Sequence, residues 1–130
     1  MTRLLSLLIV SILLSGCMSG TMSGMTRESG ERINILYTQG LSHDDLEVTL
    51  VDGENFKGKV VMTGNSTSVI SGSSFNVVNT YTGSVQGVLF GNRGNTMRCS
   101  LQYADSGGFT SAGGVGVCET SDGIVIDVQW

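Results

Sequence analysis

Apolar residues recur at every second position through most of this sequence, and that period restricts it to strands. Ile33, Ile35 and Tyr37 alternate with Asn34, Leu36 and Thr38. Leu46, Val48 and Leu50 alternate with Glu47, Thr49 and Val51, and Phe56, Gly58, Val60 and Met62 with Lys57, Lys59, Val61 and Thr63. Successive side chains of a strand point to opposite faces, so each run offers one face to a core and the other to water. Met97, Cys99, Leu101 and Tyr103 repeat the pattern, with Arg98, Ser100 and Gln102 on the other side. Ile124, Ile126, Val128 and Trp130 carry it to the last residue.

Turn chemistry separates the runs. Asp52-Gly53-Glu54-Asn55 and Gly91-Asn92-Arg93-Gly94-Asn95 are hairpin loops, and Gly64-Asn65-Ser66-Thr67 is expected to end the third run. Ser121-Asp122-Gly123 suits a type I turn with its Gly in the left-handed region. Phe75 to Phe90 is a long apolar-leaning run with a bend expected near Gly83, and 105–114 is a Gly/Ser-rich loop. The chain has 19 Gly and no Pro, so its strands can coil tightly. The expected fold is all-β: a small antiparallel sandwich or partly closed barrel of seven to eight strands.

The N-terminus has a different character. Arg3 is followed by an apolar run from Leu4 to Leu14, then Ser15, Gly16 and Cys17. The run is shorter than the roughly 20 residues a membrane-spanning helix needs, and fits the apolar part of an export signal. Leu14-Ser15-Gly16-Cys17 resembles the lipobox of bacterial lipoproteins. That resemblance implies cleavage before Cys17, acyl chains on its sulfur and new amino terminus, and an anchorage that several chains make stable. Met18 follows where an Asp would favour inner-membrane retention, so the outer membrane, facing the periplasm or the surface, is the expected location. Residues 1–16 are thus the expected signal peptide with a signal helix. Residues 17–31, with their repeated Met-Ser-Gly, are expected to be the acylated Cys and a flexible tether, and 32–130 the single β domain.

Once Cys17 takes lipid, Cys99 and Cys118 remain as a pair. If strands 96–104 and 113–120 form a hairpin, opposed residues have a constant sum. Tyr103 and Gly114 give 217, as do Cys99 and Cys118. Directly opposed Cα atoms, about 4.5–5.5 Å apart, are within reach of a disulfide. An exported chain meets an oxidising compartment, and closing a loop of about 20 residues stabilises by roughly 3 kcal/mol.

Removing Arg3 from a net charge of -4 leaves -5 on the mature chain. An acidic chain with scattered basic residues lacks the footprint of a nucleic-acid binder. No metal-ligand spacing or phosphate loop occurs, so no metal or cofactor is expected. Ser42-His43-Asp44-Asp45 is the one cluster with catalytic residue types, and His43 the sole histidine. It reads first as a polar turn with Ser42 capping it, and alternatively as the base of an envelope hydrolase. Asp52, Glu54 and Asp122 read as charge on solvated turns, and Asp127 as facing outward. The aromatic C-terminus is like that of outer-membrane barrels, which leaves a small transmembrane β-barrel as a further alternative. The strands from Cys118 to Trp130 also faintly resemble small lipid-anchored lysozyme-inhibitor barrels. The favoured expectation is a lipid-anchored envelope protein with a non-enzymatic binding or structural role. It would be tied to the membrane by its N-terminal lipid and would meet an envelope protein or a glycan. The loop of Ser106, Gly107, Gly108 and Phe109 is its expected contact surface.

Overall fold

The computed structural model describes residues 18–130. The signal helix expected over 1–16 and the lipid site at Cys17 lie outside the described residues.

Eight strands close into an antiparallel barrel in sequence order. They are β1 (Ser19–Thr26), β2 (Arg32–Gln39), β3 (His43–Thr49), β4 (Asn55–Ser71), β5 (Ser74–Gly91), β6 (Thr96–Tyr103), β7 (Gly114–Thr120) and β8 (Val125–Gln129). β1 pairs with β8, which completes the ring and removes every edge from the barrel wall. Up-and-down connectivity gives the barrel two unlike ends. Met18, Trp130 and the β2–β3, β4–β5 and β6–β7 connections gather at one end, here called upper. The β1–β2, β3–β4, β5–β6 and β7–β8 connections gather at the lower end.

Alternation places the core as the sequence implies. Ile33, Ile35, Leu46, Val48, Phe56, Val60, Leu89, Met97, Leu101 and Ile126 are buried inside the barrel. Fully burying one such side chain, Phe56 for example, is worth about 1.5–3 kcal/mol. The paired strands β4 and β5 approach closely at Gly58 and Gly87, where a Cβ would collide with the neighbouring backbone. Cys99 lies directly opposite Cys118 and bridges it, with Cα atoms 4.1 Å apart. The turns at Gly53 and Gly123 hold left-handed glycines, φ 90° and 95°.

Three expectations are corrected. Residues 19–26 are not a tether: they form β1, hydrogen-bonded to both β2 and β8, with Met22 fully buried. The β domain therefore begins at Ser19, not at residue 32. Gly64–Thr67 is not a turn: β4 runs through it to Ser71, and the reversal comes at Gly72-Ser73. The polar turn at His43-Asp44 is instead the start of β3, so Ser42 caps no helix.

The β4–β5 hairpin is much longer than the barrel is tall. β3 pairs with β4 only as far as Val61, and β6 meets β5 only from Ser84 onward. Between those points a two-stranded ribbon continues through Gly64↔Tyr81 to Ser71↔Ser74. A register shift between Met62 and Gly64, opposite the left-handed Gly83 (φ 78°), marks where it leaves the wall. The bend expected near Gly83 is found there.

Candidate functional site

The upper end holds a buried polar cluster. Asp44 lies on the inward parity of β3, two residues before Leu46, and is only 5% exposed. Its Oδ2 accepts hydrogen bonds from the Tyr103 hydroxyl and, at 2.5 Å, from Thr110 Oγ1. The Thr110 amide donates to Gln39 Oε1 at 3.0 Å, and Trp130 Nε1 donates to the Thr110 carbonyl at 2.6 Å. The Tyr103 and Trp130 rings meet edge to face, 5.2 Å between centroids. Burial, and then the hydrogen bond to Asp44, push the Tyr103 hydroxyl well above the usual tyrosine range. The cluster fastens the β6–β7 loop, with its short 3-10 turn Thr110–Ala112, across the barrel mouth. The C-terminal tryptophan belongs to this seal.

The loop's expected contact residues sit on top of the seal. Phe109, Ser106 and Gly107 are exposed, and Gly108 is half-buried against Met62. Phe109 shares the lining of a crevice of about 160 Å³ with Leu41, Met62, Val85 and Tyr103. Leu41, on the β2–β3 turn, is fully exposed, and Met18 is also exposed. The Met18 carbonyl accepts the Gln39 amide at 2.8 Å, so the chain joins the rim one residue after Cys17.

His43 stands on the outer side of this rim. Its Nε2 is 3.2 Å from Lys59 Nζ and 3.8 Å from Asp45 Oδ2, while Lys59 Nζ donates to Asp45 Oδ1 at 2.7 Å. The Lys59 hydrogen bond holds the Asp45 carboxyl below the usual carboxylate range. Among the described residues the hydrogen-bond partner of His43 Nε2 is thus an ammonium group rather than a nucleophilic hydroxyl. Among the described residues, no group of three or more His, Cys, Asp or Glu could hold a metal ion.

The lower end carries a second buried carboxylate. Glu54 is 2% exposed, and its carboxylate accepts the Arg93 amide at 3.2 Å, the Asn95 amide at 3.3 Å and Asn95 Nδ2 at 2.9 Å. It is not charge on a solvated turn but the brace between the β3–β4 and β5–β6 turns. Asp127 faces outward as expected, paired with Arg27 at 2.6 Å. The outer wall bears Asp45, Glu47, Lys57, Lys59, Arg98 and Glu119, all at least partly exposed. A lipid-facing wall would lose about 2–4 kcal/mol per midplane Lys or Arg, a cost that this charged surface would carry in a bilayer.

Comparison with family models, with curated proteins and with solved structures finds no match for this chain.

Proposed function

We propose that this protein is a lipid-anchored barrel of the bacterial envelope with a non-enzymatic binding or structural role, and that its upper rim is its contact surface. The filled interior carries this reading. Ten and more core side chains occupy the barrel, so a ligand meets the outside of the molecule rather than a lumen. The rim supports it further, because Phe109, Leu41 and Met18 stand exposed over a mouth that Asp44, Tyr103, Thr110 and Trp130 hold shut.

Fractionation of cells expressing the full chain tests the reading. The wild-type chain sediments with membranes, Cys17→Ser releases it to the soluble fraction, and globomycin accumulates the unprocessed precursor. Membrane association that survives Cys17→Ser, with no precursor under globomycin, would remove the anchor.

A further inference from the structure

The two ends of the barrel differ in charge. The lower turns hold Arg27, Glu28, Glu31, Asp52, Arg93 and Asp122. The upper connections hold almost none, and the Asp45–Lys59 pair with His43 lies beside them on the outer wall. Residues 40–42 carry no charge, the β6–β7 loop has only Asp105, whose carboxylate accepts the Gly107 amide, and no Asp, Glu, Lys, Arg or His occurs between Lys59 and Arg93. That last stretch includes the whole ribbon. By register, positions 64, 66, 68 and 70 share one face with 81, 79, 77 and 75. That face contains Ile70, Phe75, Val77 and Tyr81 with Gly64, Ser66, Ser68 and Asn79, whereas the other contains Asn65, Thr67, Ser71, Ser74, Asn76 and Thr80 along with Val69 and Val78.

A ribbon of this kind is out of place in water. Isolated two-stranded hairpins are marginal there. Exposed edges are normally guarded by Lys, Pro or inward charge, and both edges here are bare of all three. The ribbon also has a fixed origin. It leaves the end of the barrel at which Met18 is hydrogen-bonded into the rim, one residue from Cys17. With β1 in the wall, no tether separates an acyl chain at Cys17 from that rim.

We propose that the upper end, whose connections are almost free of charge, faces the lipid bilayer and that the β4–β5 ribbon lies embedded in it, at the boundary of headgroups and acyl chains. The proposal rests on the anchor reading and names lipid as the partner of the same rim. The ribbon's arms, 64–71 and 74–81, extend about 25 Å. Its backbone edges, unpaired among the described residues, exclude the hydrocarbon centre, where unsatisfied amides and carbonyls cost several kcal/mol each. At the boundary, water and headgroups satisfy those edges while the face of Ile70, Phe75, Val77 and Tyr81 meets acyl chains. Phe109, Leu41 and Met18 add apolar contact around the base of the ribbon. The charged lower end then points away from the membrane.

The purified, full-length mature chain, its acylation read by mass spectrometry, is reconstituted in vesicles of phosphatidylethanolamine and phosphatidylglycerol doped with brominated phosphatidylcholine. Phe75→Trp places a probe on the ribbon, Phe109→Trp a second at its base, and Val51→Trp a third at the lower end. The parent, with Trp130 alone, is subtracted from each. The first two probes are expected to lose emission to bromine and shift to the blue, and the third to remain unquenched. Acylated, vesicle-bound protein with the ribbon and rim probes both unquenched would overturn the membrane placement and leave the anchor standing. If those probes are instead shifted to the blue without bromine quenching, and crosslinking joins the ribbons of two chains, the occupant is a second copy and the proposal also fails. Quenching in a chain without acyl mass would support the placement and remove the anchor.

Discussion

Asp44 holds the upper end of this protein together, and its parity along β3 explains how. It sits in phase with Leu46, Val48 and Leu50, so a strand that buries those residues must also bury a carboxylate. Burial is tolerable because two hydroxyls donate to it. Tyr103→Phe removes one donor and is expected to cost roughly 1.5–3 kcal/mol, seen as a lower urea midpoint with unchanged slope. The same site sets a pH limit. The folded-state pKa of Tyr103 is raised, so its stabilising effect is complete below the ordinary tyrosine value near 10 and is lost as pH climbs above it. Urea midpoints taken on the alkaline side should therefore fall in the wild type, and less steeply in Tyr103→Phe. Glu54 obeys the same parity, in phase with Phe56 and Val60. Both carboxylates were legible as inward positions. Residue type outweighed register in reading them as solvated, and their hydroxyl and amide donors come from residues distant in sequence.

Strand β1 shows where alternation fails as a signal. Its inward positions are Gly20, Met22, Gly24 and Thr26, only one of which is a large apolar residue. The glycines are small because neighbours fill their space: Tyr37 lies over Gly20 and Ile126 beside Gly24. The apolar volume that would have marked the strand is supplied by β2 and β8. A strand with one anchor should depend on it heavily. Met22→Ala is expected to destabilise by about 2–5 kcal/mol in denaturant unfolding. Were residues 19–26 a tether, the substitution would be neutral. The β6–β7 hairpin is the opposite case, since the paired cysteines fixed its register from numbering alone. At β4–β5 the sequence misleads, because Gly64-Asn65-Ser66-Thr67 and Gly72-Ser73 both suit a turn and only the shift at Met62/Gly64 lets the strand continue through the first.

The whole molecule divides into a closed barrel and a ribbon that grows from one of its ends. Within the barrel each strand has two hydrogen-bonded neighbours and the core is continuous across all eight. Beyond Gly64 and Tyr81, β4 and β5 pair only with each other among the described residues. The barrel's stability should then be independent of the ribbon. Gly64 and Tyr81 are directly opposed, so replacing 65–80 with Asn-Gly leaves a two-residue hairpin turn in register with both strands. The shortened chain is expected to keep its Cys99–Cys118 bridge and to unfold in urea within about 1 kcal/mol of the full chain, the range of changes away from the core. A loss of several kcal/mol would mean that the ribbon packs on the barrel and is part of its structure. If stability is kept, the uncharged ribbon is not maintained by folding. The bilayer contact proposed above would then account for its composition and its bare edges.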